Sequence, residues 1–322
     1  MYDIITIGAG TLDVFLRSKV FQVVKNPKVA TGLAECFDFG SKVEIDEMHL
    51  ASGGGGTNCA TTLARAGRKA GWVGILGKDV FGEMIIAEAK KEKIGTDLIS
   101  QIEGESGYSN ILLTPSGQRT ILVYRGVSDD WQKIKMPWGK IKANWLYLTS
   151  LGGDLGMLSR ILDFAEEHAI NIAINPGARE LALGWEKLKE LLERVHILIL
   201  NREEAAKLAN KPYKNLAAIY ERLMGLAQQV VVITEGARGA TACNGSTCYR
   251  VGTYPVKVVD ATGAGDAFGS GFVAEFMKKG NIEKALQYAA WNSSNVVNKI
   301  GAKAGIVREF PKKKLPVKMI EI

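Results

Sequence analysis

The strongest constraint on the fold is a regular alternation of short β-branched runs with helical patterns. Strands are predicted at 4–7, 70–76, 145–149, 171–175, 197–200 and 230–234, and helices at 57–66, 82–92, 158–168, 185–193, 203–208 and 213–226. Parallel strands require a crossover connection, which is usually a helix. The sequence therefore predicts an α/β protein with a doubly wound, mostly parallel sheet that helices cover on both faces.

Two stretches interrupt this alternation. The segment 15–50 lacks a clear helical pattern, and YSNILLT and TILVY read as a hairpin around Pro115-Ser116-Gly117. Both stretches follow early strands of the main sheet, so we expect them to assemble into one small β-sheet lid. The predicted division is an α/β core of 1–13, 49–107 and 128–322, and a lid of 14–48 and 108–127.

Composition excludes several classes of protein. The chain has 322 residues, of which 47% are hydrophobic and 23% charged, so it can bury a sizeable core and is not disordered. No apolar run approaches a membrane span, and the opening MYDIITIGAG reads as a buried strand, so we expect a cytoplasmic protein without a membrane partner. The net charge of +7 is interspersed, and the basic KKKLPVK lacks aromatic residues, which disfavours nucleic-acid binding.

The four cysteines form no C-x-x-C pair and have no histidine at zinc spacing, so a zinc finger is disfavoured. Cys243 and Cys248 bracket a turn, and neighbouring strands could bring them together. In a reducing cytosol we expect free thiols.

The strongest local signal is a glycine-rich loop, Asp260-Ala261-Thr262-Gly263-Ala264-Gly265-Asp266, followed by an apolar helical run. Small residues let backbone N–H groups approach an anion at a helix N-terminus. A carboxylate beside an anion needs a task, and accepting a proton from an attacking hydroxyl is such a task for Asp266. The alternative is that Asp266 only caps the helix.

Two further glycine clusters precede or follow predicted elements. Ser52-Gly53-Gly54-Gly55-Gly56-Thr57-Asn58 exposes backbone N–H groups and offers an amide to sugar hydroxyls, although a flexible hinge is an alternative interpretation. Thr234-Glu235-Gly236-Ala237-Arg238-Gly239 follows the run VVVIT, at the strand end that faces the ligand crevice of an open α/β sheet.

Two common nucleotide motifs are absent from the sequence. Gly8-Ala9-Gly10 resembles the start of a dinucleotide fingerprint, but Asp13 stands where the third glycine should be and no helix follows. No GxxxxGK[ST] sequence occurs, so a Walker-type NTPase is disfavoured.

Taken together, four motifs in this order resemble the ribokinase-like (PfkB) carbohydrate kinases along nearly the whole chain. They are GGxxxN at 53–58, Asn201-x-x-Glu204, TxGxxG at 234–239 and D-x-T-G-A-G-D at 260–266. The sequence departs from the family pattern at Ala261, where the family usually has Thr or another small residue such as Ser. The resemblance implies a ribokinase-like fold and an ATP-dependent kinase activity that this change leaves intact.

The resemblance also implies roles for individual residues. Asp266 would deprotonate a primary hydroxyl of the substrate, and Gly263, Ala264 and Gly265 would form the anion hole for the transferring phosphoryl group. The substrate hydroxyls would be held by Asp13, Gly54, Gly55 and Asn58. The nucleotide site would be lined by Asn201, Thr234, Gly236, Gly239 and Gly265.

The implied cofactors are ATP, Mg²⁺ and, as a weaker expectation, K⁺. Glu204 would act on Mg²⁺ indirectly, by ordering the water around it. The positions matching the family's monovalent-cation site are Asp260, Thr262, Val296, Lys299 and Gly301.

The identity of the substrate depends on the lid. A ribose-type sugar suits the hydroxyl-binding groups, and a nucleoside is the main alternative; a ligand sensor without activity is a third hypothesis, which the intact Asp266 disfavours. The lid offers Phe15, Phe37, Phe39, Tyr108, Asn110 and Arg125 as candidate substrate contacts, or as lid core. We also expect a homodimer that pairs one lid with another, because an isolated small sheet has exposed edges.

Overall fold

The structure is a computed structural model that describes residues 1–29, 32–114, 119–245 and 247–321. Its strands are β1 (Tyr2–Ile7), β2 (Thr11–Arg17), β3 (Gln22–Lys25), β4 (Leu33–Cys36), β5 (Glu47–Gly53), β6 (Ala70–Val73), β7 (Ile75–Gly77), β8 (Ser100–Ile102), β9 (Gly107–Leu113), β10 (Arg119–Tyr124), β11 (Ala143–Leu148), β12 (Asn171–Ile174), β13 (Ile197–Asn201), β14 (Val230–Thr234), β15 (Ala240–Asn244), β16 (Thr247–Val251) and β17 (Val317–Ile320). Its α-helices are α1 (Gly55–Arg65), α2 (Val80–Lys91), α3 (Leu155–Glu167), α4 (Ala178–Leu181), α5 (Trp185–Leu192), α6 (Arg202–Ala209), α7 (Leu216–Leu223), α8 (Ala264–Lys279) and α9 (Ile282–Val296).

The main sheet has nine strands in the order β17-β16-β15-β14-β13-β12-β11-β1-β6. Six strands of this sheet run parallel: β6, β1, β11, β12, β13 and β14. The other three, β15, β16 and β17, extend the sheet with antiparallel pairing. Alternate residues point to opposite faces: Ile5 and Leu198 belong to the core on one face, and Ile4 and Ile199 pack with Phe272 of α8 on the other. Both faces are covered by helices, which confirms the predicted fold class.

Several predicted elements have different limits. The strand expected at 70–76 divides at Gly74, whose carbonyl accepts a hydrogen bond from Ser100, so that β7 pairs with β8 outside the main sheet. The helix expected at 213–226 begins only after Asn215, whose side chain caps it by accepting from the N–H of Ala218. The antiparallel edge overturns the expectation of free thiols for two of the four cysteines: β15 and β16 place Cys243 opposite Cys248, and the two form a disulfide. Cys36 and Cys59 are free thiols, as expected.

The lid is a four-stranded sheet in the order β10-β9-β2-β5, accompanied by the separate β3-β4 hairpin. β9 and β10 form the expected hairpin, while the tip predicted at Pro115-Ser116-Gly117 lies outside the described residues. The lid strands begin and end closer to the core than predicted, because β2 starts at Thr11 and β5 continues to Gly53. Asp13, which the predicted division places in the core, therefore lies on a lid strand.

Among the helices of the described ranges, none has both the length and the apolar composition that a membrane span requires.

Candidate active site

Asp13 lies on the face of the lid that is turned toward the core. In β2, Asp13 and Phe15 share this face, since alternate residues of a strand point the same way. The side chain of Asp13 is buried and accepts a hydrogen bond of 3.1 Å from the hydroxyl of Thr11. Gly53 of the adjacent β5 makes room for it: a Cβ atom there would lie 1.9 Å from Oδ2 of Asp13. The lid therefore presents a carboxylate at its boundary with the core.

The glycine cluster at 52–58 forms the tight connection between β5 and α1. Gly54 is the N-cap residue of α1 with φ of 86°, a conformation that favours glycine, and a Cβ atom there would lie 2.5 Å from the carbonyl oxygen of Ala9. The N–H of Gly56 donates to the same carbonyl at 2.9 Å. These contacts hold the N-terminus of α1, with Asn58 in its first turns, beside the loop that follows β1.

The glycine-rich loop at 260–266 leads into α8 and forms its first turn. Gly263 is the N-cap residue in the left-handed region, with φ of 74°, and Asp266 lies in the first turn. The amide of Asn58 donates a hydrogen bond of 2.8 Å to Oδ2 of Asp266, although the two residues are 208 positions apart in sequence. The amide oxygen of Asn58 is buried and has no hydrogen-bond partner among the described residues. The structure thus brings two predicted site residues into contact and leaves an acceptor facing the same place.

The electrostatics of this cleft depend on three charged groups. Burial raises the pKa of the Asp266 carboxyl above its ordinary value, and the Asn58 hydrogen bond and the positive charge of Lys303 act in the opposite direction. Burial likewise raises the pKa of Asp13, which Ser109, Thr11 and Lys303 counteract. Both carboxylates are therefore influenced by the same ammonium group.

Lys303 is a site residue that the sequence analysis missed. It is 6% exposed, its Nζ hydrogen-bonds the hydroxyl of Ser52, and it lies 3.5 Å from Oε1 of Glu88. Burial lowers the pKa of its ammonium to about 8. Lys303 lies two residues after Gly301, which matches the family's cation site. This proximity was the signal that could have identified it.

Asn201 and Glu204 lie across the cleft, at the start of α6. They form a reciprocal capping box: the side chain of Asn201 accepts from the N–H of Glu204, and the carboxylate of Glu204 accepts from the N–H of Asn201 at 2.8 Å. Burial raises the pKa of Glu204, and the negative charge of Asp266 adds to this effect. Both residues line a cavity of about 220 Å³, which Thr234, Gly263, Gly265 and Asp266 also line.

A second cavity of about 240 Å³ adjoins the first, since Asn201, Thr234 and Gly265 line both. Gly236 and Gly239 form part of its wall. Gly239 has φ of 93°, and a Cβ atom there would lie 2.0 Å from the carbonyl oxygen of Val251. The structure therefore gathers all five predicted nucleotide-site residues around two connected cavities at the N-terminus of α8.

Glu235, within the same loop, anchors a cluster of arginines that the sequence analysis missed. Its buried carboxylate accepts from Arg202 at 2.9 Å and from Arg250 at 2.6 Å. These contacts connect α6, β16 and the loop after β14. The cluster fixes the loop that contains Gly236 and Gly239.

The residues matched to a monovalent-cation site come from two segments that lie side by side, since the N–H of Asp260 donates to the carbonyl of Val297 at 3.2 Å. The carboxylate of Asp260 accepts from the N–H and the hydroxyl of Thr262, at 2.9 and 2.6 Å, and from the N–H of Gly301 at 3.0 Å. The carbonyl of Val296 accepts from the N–H of Lys299 at 3.1 Å. The guanidinium of Arg119, on β10 of the lid, also reaches Asp260, with 3.2 Å between Nη1 and Oδ1.

Most of the lid side chains named as candidate substrate contacts lie elsewhere. Tyr108 belongs to the opposite face of the lid from Asp13, where its ring stacks on Phe81 and its hydroxyl donates to Asn110. Arg125 is exposed and pairs with Asp129 at 3.4 Å.

Phe37 packs edge-on against Phe21 of the lid, and Phe39 is exposed. Only Phe15 of this group lies buried on the cleft side, where it lines a cavity of about 710 Å³ between the lid and the core.

Comparison with known proteins gives this geometry a family. Residues 29–308 match the pfkB family of carbohydrate kinases. This chain belongs to that family. It is 29% identical to an uncharacterised sugar kinase of Archaeoglobus fulgidus over 76% of this chain and 98% of that protein, and 27% identical to the ribokinase of Schizosaccharomyces pombe over 95% of each.

Solved structures with a similar fold cover nearly the whole chain. Ribokinase from Arabidopsis thaliana, complexed with ribose and ATP, has a TM-score of 0.77 at 20% identity and covers 95% of this chain and 96% of that chain. A nucleoside kinase from Burkholderia thailandensis, in complex with inosine, has a TM-score of 0.75 at 18% identity over 95% of each chain. The predicted ribokinase-like fold is confirmed, and this pfkB family member is a phosphotransferase of the sugar and nucleoside kinases.

Proposed function

We propose that this kinase transfers the γ-phosphate of ATP to a primary hydroxyl of a small, ribose-type sugar. The observation that carries the proposal is the hydrogen bond from Asn58 to Asp266 in the first turn of α8. This hydrogen bond places the amide of Asn58, which is suited to binding hydroxyls, against the carboxylate of Asp266. The carboxylate lies at a helix N-terminus, beside a cavity. An acceptor hydroxyl held there would lie next to its proton acceptor and next to donors for the transferred phosphate.

Phosphoryl transfer needs mainly positioning and stabilisation of charge on the equatorial oxygens. The first N–H groups of a helix have no partner within the helix, and its dipole favours an anion at that end. Gly263, Ala264 and Gly265 would supply these donors, and Asp266 would accept the proton. The raised pKa of Asp266 suits a base, because a carboxylate of ordinary pKa attracts a proton only weakly.

The sugar would be held between the lid and α1. Asp13 would accept from hydroxyl groups, and Gly54 and Gly55 allow the sugar to approach the backbone. Asn58 offers its amide oxygen, to which none of the described residues donates a hydrogen bond. A site built from several such groups strongly disfavours analogues that lack the hydroxyls. The ribokinase names among the relatives support a ribose-type acceptor.

The nucleotide would occupy the two cavities at the start of α8, lined by Asn201, Thr234, Gly236, Gly239 and Gly265. Within the part of the chain that the structure describes, no group of three acidic, histidine or cysteine side chains could hold a metal ion by itself. Mg²⁺ usually keeps several waters and binds through substrate phosphates and one or two carboxylates. Glu204, which lines the cavity of about 220 Å³, is suited to act on the water shell of Mg²⁺.

A nucleoside acceptor is the second candidate, and the cavity of about 710 Å³ between lid and core favours it. Phe15, His49 and Leu113 line this cavity, which extends along the lid face that carries Asp13. Aromatic and apolar walls of this kind could accept a base in place of the anomeric hydroxyl.

An ADP-release panel with ATP, Mg²⁺ and K⁺ distinguishes these substrates. The acceptors are ribose, fructose, fructose 6-phosphate, 2-keto-3-deoxygluconate, adenosine, cytidine and inosine. We expect ribose to give the highest kcat/KM. Nucleosides exceeding ribose by orders of magnitude would establish the second candidate, and exclusive use of a hexose phosphate would refute both.

The lid also supports a homodimer as part of the proposal. Met48, Leu50 and Leu122 share the face of the lid opposite Asp13 and are exposed. Pairing two lids through this face would bury these side chains and cover the open edges of both sheets. Light scattering at micromolar concentration should give the mass of a dimer, and the mass of a monomer would refute the pairing.

A further inference from the structure

The side chain of Asp260 is fully buried at the start of the loop that leads into α8. A buried carboxylate requires hydrogen-bond donors and a compensating positive charge. Thr262 and Gly301 supply three neutral donors at 2.6 to 3.0 Å, and Arg119 supplies the fourth donor together with the charge. Among the ion pairs of the described residues, Arg119 is the only partner of Asp260.

This arrangement fits poorly with an ion bound by the carboxylate. Three of these four donors, from Thr262 and Arg119, approach Oδ1, and the N–H of Gly301 approaches Oδ2. An alkali cation at Oδ1 would have to displace one of the donors there, because a carboxylate oxygen has only about two lone-pair sites, and it would lie beside the guanidinium, a like charge. The residues that match the family's cation site therefore hold a positive charge that comes from the chain itself.

Arg119 differs from a bound ion in a second way: it is covalently part of the lid. It is the first residue of β10 and pairs in register with Leu113 of β9. Its side chain crosses from the lid to the core loop and remains 31% exposed. The ion pair thus joins the sheet that carries Asp13 to the loop that carries Asp266.

We propose that Arg119 is a positioning residue which replaces the monovalent cation at Asp260 and connects closure of the lid to the order of the 260–266 loop. The inference rests on the proposed function, because this loop matters for turnover only if it receives the phosphate. The kinase should accordingly work without K⁺. Removal of the guanidinium should open a place in which K⁺ takes over its role.

The test compares wild type, Arg119→Ala, Arg119→Lys and the matched control Arg194→Ala, which removes an arginine paired with Asp163 and Glu166 far from the site. Thermal unfolding and kcat are measured in K⁺ and in tetramethylammonium at equal ionic strength, so that screening does not differ. Wild type and Arg194→Ala should show less than about a twofold difference in kcat and no K⁺-specific rise in Tm. Arg119→Ala should lose about tenfold or more in kcat in tetramethylammonium, as expected for a displaced catalytic loop.

K⁺ should restore part of the activity of Arg119→Ala and raise its Tm, while Arg119→Lys should remain active and insensitive to K⁺. Strong K⁺ activation of wild type, an Arg119→Ala enzyme like wild type, or an impaired one that no cation improves would each overturn the proposal. The Tm measurement needs no turnover, so it decides the cation question even if the acceptor panel fails. Circular dichroism identifies a misfolded variant, and Arg119→Gln then serves as the second neutral substitution.

Discussion

Two glycine-rich loops meet at the active site, and Gly265 of the second serves a different physical purpose from the glycines of the first. In the loop before α1, Cβ atoms at Gly53, Gly54 and Gly56 would lie 1.9 to 2.5 Å from neighbouring protein atoms. In the second loop Gly263 is packed in the same way, with a Cβ atom 2.4 Å from Cβ of Ala302, but at Gly265, in the first turn of α8, a Cβ atom would meet no protein atom within 4 Å. The first loop is glycine-rich because the protein packs tightly around it. At Gly265 the space that a side chain would fill is left open.

This difference separates architecture from ligand binding. A substitution in the first loop should damage the protein itself, because the new atoms collide with the chain. A substitution at Gly265 should leave the fold intact and interfere only with what enters the cleft. The two loops look alike in sequence, so mutation of each is the direct way to test the assignment.

The largest effect is expected at Asp266. Asp266→Asn keeps the size of the side chain and can still hydrogen-bond Asn58, but it cannot accept the proton of the substrate. We expect kcat to fall about 10²–10⁴-fold, with folding and ATP binding largely retained. Steady-state kinetics, calorimetric titration with ATP and thermal unfolding measure the three quantities, and Asp38→Asn in the exposed part of the lid is the control. More than about a tenth of wild-type kcat would contradict the role of Asp266 as base.

Gly54→Ala should be the most damaging change in the first loop. The backbone conformation alone, with φ of 86° and ψ of 140°, costs about 1–3 kcal/mol for a residue with a Cβ atom, and the contact with the Ala9 carbonyl adds to it. We expect the free energy of unfolding to fall by more than this amount, with loss of activity. Gly67→Ala is the matched control, since Gly67 also has a positive φ, of 79°, but no atom near its Cβ position. Equal Tm values for the two variants would show that packing against Ala9 is unimportant.

Gly265→Ala should lower activity without lowering stability. A methyl group in the first turn of α8 is compatible with the helix and should raise stability by up to about 1 kcal/mol. It would project into the cavity assigned to the phosphates, so we expect kcat to fall about tenfold or more. Gly139→Ala, which also places a methyl group in open space but far from the cleft, should leave kcat unchanged. Normal kinetics of Gly265→Ala would remove this glycine from the anion hole.

The sequence predicted the parts of the molecule that are encoded by local pattern. The short apolar runs of β1, β11 and β14, alternating with helical patterns, indicated buried parallel strands, and the glycine runs indicated close approach at helix N-termini. The pairing of Asn58 with Asp266 could be expected only because the family resemblance placed both in one site. Their individual positions in sequence give no such information.

The missed features depend on contacts between distant segments. Lys303 and Arg119 each lie more than 100 residues from a carboxylate that they influence. Apart from the neighbouring Gly301, which indicates the site in the case of Lys303, nothing around them in sequence distinguishes them from solvated surface charges. The capping box of Asn201 and Glu204 was readable from its three-residue spacing, yet it was interpreted only as a ligand motif. Tyr108 could be expected either in the cleft or in the lid core because the register of β9 against β2 was unknown, and a shift of one residue reverses the face.

The smallest expected effect is a shift in pH dependence that connects the two loops through Lys303. Its ammonium contacts Ser52 in the first loop and lowers the pKa of Asp266 in the second, against the effect of burial. Asp266 must be ionised to act as base, so activity falls as the pH decreases through its pKa. Without the ammonium the pKa of Asp266 rises further. The acid limb of the kcat/KM profile should therefore move to higher pH in Lys303→Met, whereas Lys91→Met, which removes an exposed lysine of α2, should retain the wild-type profile. A uniform loss of activity at all pH values, with no displacement of the acid limb, would mean that Lys303 only packs against the first loop and does not act on the charge of the base.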